Sequence, residues 1–150
     1  MALRAVLILE DKAYDVLDLD YEISKPYHNN NKPSSVAEGG IINFTILTPL
    51  QKNYVFHKWV LSIEETKCGW FAFPLTHGTK HGFKNIWFDM AYCVRLQENY
   101  SSFNSSQMQM RLTIVASTIG FDMGDSSAPV YTNKKYPERP APKPGKIPES

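Results

Sequence analysis

At 150 residues and 17.1 kDa, with 43% hydrophobic residues, the chain is long enough for one domain with a real core, which excludes disorder over most of its length. A formal charge of +1 excludes a broad electrostatic footprint for nucleic acid or acidic lipid. The two cysteines, Cys68 and Cys93, fall in strand-like runs without paired spacing, which predicts reduced, buried thiols instead of a disulfide framework.

Residues 3–9 alternate in polarity and meet Glu10-Asp11-Lys12, a turn composition, so the chain is expected to begin with a β-hairpin. Although apolar, this start is short, runs into acids and lacks a small-residue cleavage site. Synthesis and folding in the cytoplasm without a signal peptide are therefore expected. In the second strand Leu17, Leu19, Tyr21 and Ile23 are expected to face the core, with Asp18, Asp20 and Glu22 in water. Residues 24–40 then lose all periodicity in a run of Pro, Asn, Ser and Gly. A loop of that length is uncommon in a compact domain and is usually functional or disordered.

Strand character returns at 41–47 and stops at Pro49. Residues 51–63 are the one good helix candidate, with Tyr54, Val55, Phe56, Trp59 and Ile63 forming an apolar stripe opposite Lys52 and Lys58. A strand over 68–73 leads into a Gly- and His-rich turn at 76–82. Over 85–98, Ile86, Phe88, Met90, Tyr92, Val94 and Leu96 are expected on one face, while Trp87, Ala91 and Cys93 make the other apolar too. Straight, that stretch would reach about 46 Å at ~3.3 Å per residue, so it either bends or is covered by another subunit. A last long strand runs from Met108 toward Gly120.

Five of the ten prolines fall in the final fifteen residues, and five bases against two acids from Lys134 onward leave the body faintly acidic. An extended or disordered tail over 133–150 is expected, after a domain spanning 1–132. The fold class that follows is mostly β: a compact β-barrel or two-sheet domain with one flanking helix.

Chemistry finds no foothold in the pattern. His77, His81, Cys68 and Cys93 are zinc-ligand types, but their spacing is wrong, and a solvated turn is the simpler reading. Asp15, Asp18, Asp20 and Glu22 have the period of a wet strand face, and no nucleophile elbow, phosphate loop or dinucleotide fingerprint occurs. Neither a cofactor nor a metal nor catalysis is expected. Trp70, Phe71, Phe73 and Trp87 could stack on single-stranded nucleic acid, but few bases surround them; core or interface packing is the better account. A small-ligand-binding β-barrel, with Trp70, Phe73 and Trp87 lining its cavity, is the alternative function.

Tyr14-Asp15-Val16-Leu17, Tyr21, the loop residues Lys32-Pro33-Ser34-Ser35 and Gly39-Gly40-Ile41-Ile42 resemble the haemolysin-coregulated protein family (Hcp, TssD), the tube subunits of bacterial type VI secretion. The likeness continues through the Trp59 helix, the 88–98 strand and residues 108–119, and is closest to divergent members. Asn31-Lys32 stands where Gly-Arg is common, and Asp11-Lys12 where Gly-Lys is common. The resemblance implies a structural protein that forms homohexameric rings stacked into a hollow tube, with sheath, spike and baseplate proteins and cargo effectors as partners. It implies export through the type VI apparatus, and involves neither nucleic acid nor membrane. Lys32, Pro33, Ser34, Ser35, Gly39 and Gly40 would then form the ring-stacking loop. Trp87, Ala91, Cys93 and Arg95 would lie at the subunit interface.

Overall fold

The computed structural model describes residues 4–25, 39–50, 54–100, 102, 108–122 and 129–132. The 133–150 tail, Lys32, Pro33, Ser34 and Ser35 lie outside them. Strands β1 (Ala5–Leu9), β2 (Lys12–Tyr21), β3 (Ile41–Leu47), β4 (Lys67–His77), β5 (Lys80–Asn99), β6 (Gln109–Asp122) and β7 (Val130–Thr132) are joined by one helix, α1 (Val55–Leu61). They pair in the order β3-β2-β1-β4-β5-β6, and β3 pairs again with β6, which closes a six-stranded antiparallel barrel; β7 adds to β6.

The hairpin at the start forms as expected, with Glu10 and Asp11 both at positive φ (51° and 64°), the geometry that matches the twist of the flanking strands. Alternating residues fill the interior: Leu7, Leu9, Tyr14, Val16, Ile42, Phe44, Ile46, Phe71, Leu112 and Ile114 are all buried together. Phe71 meets Phe44 edge-on at 5.0 Å and Phe88 at 5.5 Å between ring centroids.

Bulges change the expected facing. Between Val16 and Asp18 the β2–β3 register slips, so Leu17 turns outward and is 47% exposed, while Leu19 and Tyr21 keep to the core. Ile23, beyond the strand, is also exposed. The same device acts twice in β5. Met90 takes φ 50°, its N–H donating to Asp89 Oδ1 at 2.9 Å. A second slip lies between Cys93 and Arg95, with the Cys93 thiol donating to the Arg95 carbonyl. Ile86 and Phe88 therefore face inward before the first bulge, Ala91 and Cys93 after it, and Leu96 after the second. The single face expected for Ile86 through Leu96 does not exist. The twenty-residue strand bends around the barrel.

Helix α1 is shorter than the sequence predicts. Residues 51–53 lie outside the described residues, and Ser62 ends the helix in extended backbone, its hydroxyl accepting the N–H groups of Glu64 and Glu65. Only Phe56 and Trp59 of the expected stripe are fully buried; Tyr54 and Ile63 are exposed. These two aromatics cover one end of the barrel, with Tyr14 edge-on to Phe56 at 5.0 Å and the Trp59 indole N–H donating to the Ala91 carbonyl at 3.1 Å. The β4–β5 hairpin runs through the stretch expected as a long turn and reverses at Gly78 and Thr79.

Candidate assembly interface

Four neighbouring strands, β2, β3, β6 and β5, form a continuous sheet that overruns its neighbours on both sides. On one side β1 pairs with β2 only up to Val16, so residues 17–21 have no strand partner there among the described residues. On the other, β4 pairs with β5 only up to Ala91, leaving residues 92–99 likewise without one. Such edges carry unpaired backbone donors and acceptors that another strand can satisfy. Because the sheet has an even number of alternating strands, its two edges run antiparallel to each other.

The outward face of this sheet is organised in rungs, since partners across an antiparallel ladder share a face. One rung runs Asp20, Asn43, Thr113, Arg95. The Asn43 amide donates to Asp20 Oδ1 at 3.0 Å, and the Thr113 hydroxyl donates to Asn43 Oδ1 at 2.7 Å. The next runs Asp18, Thr45, Arg111, Gln97. Acid thus collects on the β2 edge, where Asp18, Asp20 and Glu22 are exposed, while Arg95 is exposed on the β5 edge with Arg111 one strand inward. Tyr92 and Val94 are exposed beside Arg95.

The residues expected at a subunit contact do not come together. Ala91 and Cys93, at 0% and 5% exposure, face the barrel's own core, because the Met90 bulge turns them inward. Trp87 faces outward but packs with Ile8 and Trp70 in a small separate cluster, its ring lying over Gly120 where any side chain would collide with it. Of the four, only Arg95 reaches the surface. Reading Asp18 and Asp20 as a wet strand face gave no reason to single them out, yet they lie on the same rungs as Arg95 and Gln97 at the opposite edge of the sheet.

Nor do Trp70, Phe73 and Trp87 line one cavity: the two indoles pack together outside the barrel, whereas Phe73 stacks beside Phe71 at its core. Among the described residues no group of acids, histidines and cysteines could hold a metal ion. The histidines of the 76–82 turn have no described side chains. None of the described helices is long and apolar enough to cross a membrane.

Burial separates the two thiols. Cys93 is enclosed and burial pushes its pKa up to about 11; Cys68 is exposed, against the expectation that both are buried. A thiol that stays protonated and covered does not react. We expect native protein to react rapidly with one equivalent of a thiol reagent, at Cys68, and the second to appear on denaturation. Two rapid equivalents would contradict the placement of Cys93.

Across the barrel end, Lys67 is almost enclosed between Glu10 and Glu65, 2.9 Å from the latter, with its ammonium 6.0 Å from the Trp59 ring. Burial opposes its charge, but the two carboxylates outweigh burial and hold its pKa above the usual lysine value.

Fold and surface together define a class: a small antiparallel barrel with a filled interior, whose four-stranded sheet has, among the described residues, strand ends without a further strand partner at both edges. The sequence model of "Hemolysin coregulated protein Hcp (TssD)" matches residues 1–127, and the chain belongs to that family, the tube proteins of type VI secretion. Hcp1 from Flavobacterium johnsoniae is similar in structure, with a TM-score of 0.71 at 22% identity over 87% of this chain and 100% of its own. A mutant Hcp1 from E. coli EAEC 042 gives 0.69 at 13% identity, over 88% and 99% of the two chains. Hcp3 from Pseudomonas aeruginosa, described as a secreted protein, gives 0.59 at 10% identity, over 87% and 98%. At such identities these structures establish a shared fold. No curated protein matches the sequence.

Proposed function

We propose that the chain is a structural subunit of the type VI inner tube, closing into homohexameric rings that stack and carry effectors. The observation that supports this best is that, among the described residues, no further strand pairs with 17–21 of β2 or with 92–99 of β5 at the edges of the four-stranded sheet. An edge-to-edge contact between copies is heterologous, and a heterologous contact closes into a ring when its rotation allows. In each such contact the β2 edge of one copy meets the β5 edge of the next in antiparallel fashion, as strands do within the barrel. Asp18 and Asp20 then approach Arg95 of the neighbour, and opposite charges fix partner and register.

Lys32, Pro33, Ser34 and Ser35 are proposed as the part of the loop that engages the next ring, with Gly39 and Gly40 as its root. Export through the type VI apparatus, partnership with sheath, spike and baseplate proteins, and a purely structural role complete this reading. A tail over 133–150 that extends from a 1–132 domain is part of it too.

The test is direct. Purified protein viewed by negative-stain electron microscopy and sized by light scattering is expected to show rings and, at high concentration, tubes. A monomer at every concentration would remove the proposal.

A further inference from the structure

Strand β7 was not legible in the sequence, yet it reaches the base of the long loop. Along one edge of β6, residues 109–115 pair with β3 and residues 118–120 pair with β7, so the two short partners lie end to end. Between them, the Ala116 N–H donates to the Gly40 carbonyl at 2.7 Å. Gly40 is buried at φ 104°, and a Cβ there would lie 2.5 Å from the Ala116 carbonyl oxygen, so only glycine passes so close to β6. Gly39 in turn lies against the other end of the loop: a Cβ on it would be 3.1 Å from the Glu22 carbonyl oxygen and 3.3 Å from Ile23. Both ends of the 24–40 stretch thus meet at one point beside β7.

Tyr131 fastens that point. Its hydroxyl accepts the Gly39 N–H at 3.0 Å and donates to the Gly39 carbonyl, 3.2 Å away, while its ring packs against the barrel core and stands 3.7 Å from where a Cβ of Gly40 would be. One phenol therefore satisfies both backbone groups of one residue. A glycine pair has more backbone freedom to lose than any other dipeptide, so without such a fastening the direction in which the chain re-enters β3 would be loosely set.

We infer that Tyr131 is a positioning residue for the long loop: its clasp on Gly39 fixes the loop's root on β6 and couples β7 to the loop. The inference rests on the reading of that loop as the ring-stacking element. It assigns β7 a purpose beyond sheet extension. It also means that whatever is attached after Thr132 begins next to the stacking face.

Tyr131→Phe keeps the ring in the core and removes only the hydroxyl. In the unassembled chain, amide exchange at Gly39 followed by NMR is expected to be about tenfold faster, as the loss of one or two hydrogen bonds implies, with the thermal midpoint nearly unchanged. Rings are expected to form as in the parent, and tubes to be several-fold fewer at the same protein concentration. Unchanged exchange at Gly39 would overturn the clasp. Faster exchange with undiminished tubes would overturn its role in positioning. Parent protein that forms no tubes would instead remove the stacking function, and the exchange result would still decide the clasp, because it is read before assembly.

Discussion

Trp59→Ala is expected to destabilise the barrel by about 3–5 kcal/mol, the usual cost of truncating a fully buried aromatic, and to lower the thermal midpoint by on the order of 10 °C. Trp59 has 0% exposure, and three separate things depend on it. Its ring, beside Phe56 at 6.5 Å between centroids, covers one end of the barrel. Its indole N–H satisfies the Ala91 carbonyl, just past the Met90 bulge, where β4 has run out of partners for β5. Its face lies under the Lys67 ammonium. Trp59→Phe separates these contributions, because it retains most of the buried area and leaves the Ala91 carbonyl unpaired, at a cost of about 1–3 kcal/mol. Thermal unfolding followed by far-UV circular dichroism measures both. Equal losses for the two variants would mean that the hydrogen bond, not burial, dominates.

The same end of the molecule has a defined response to alkali. Folded-state pKa values raised above their unfolded values, as for Cys93 and Lys67, contribute stability that is whole below the unfolded pKa and lost as pH rises toward the folded one. For Cys93 that window runs from the ordinary thiol value of 9.0 to about 11, and for Lys67 it opens above 10.5. The thermal midpoint is therefore expected to fall between pH 9 and 11, and Cys93→Ala to flatten the first part of that fall. A profile identical in the variant would show that Cys93 is not enclosed.

Much of this architecture could be read from residue types, and the reasons for the exceptions are local. Alternation in 5–9, 41–47 and 108–116 places the strands because each packs one face on the interior. Alternation fails in β2 and β5 because a bulge inserts one residue and reverses everything after it, and neither Leu17 nor Met90 announces a bulge by its type. That single effect explains why Ala91 and Cys93, which unbroken alternation puts on the face opposite Ile86 and Phe88, share the core with them. Strand β7 escaped because three residues carry no measurable period. The importance of the Gly39-Gly40 pair was legible as a pattern, but its physical cause was not: Tyr131 is 92 residues away in sequence.

Reversing the charge at the proposed seam is expected to have the largest effect on assembly. Arg95→Glu places a carboxylate opposite the Asp18 and Asp20 edge of the next copy at every contact around the ring. Like charges brought together across an interface cost several kcal/mol, and each 1.4 kcal/mol is tenfold in affinity, so rings should give way to monomers at about a hundredfold or more higher protein concentration than in the parent. Among the described residues the Arg95 side chain makes one long hydrogen bond, 3.4 Å to the Gln97 side chain, so folding should be spared. The pair Asp18→Lys and Asp20→Lys should also dissociate rings, and here the Asn43 bond to Asp20 is lost as well, so a small drop in thermal midpoint is expected. Combining all three substitutions restores opposite charges in the reversed sense and should restore rings. Double-mutant coupling of that sign distinguishes contact across the seam from independent damage to each edge. Sedimentation velocity over a range of concentrations reads the outcome. Recovery would tie β2 to β5 of a neighbour, whereas rings that withstand Arg95→Glu unchanged would place the ring contact on another face and leave the family assignment intact.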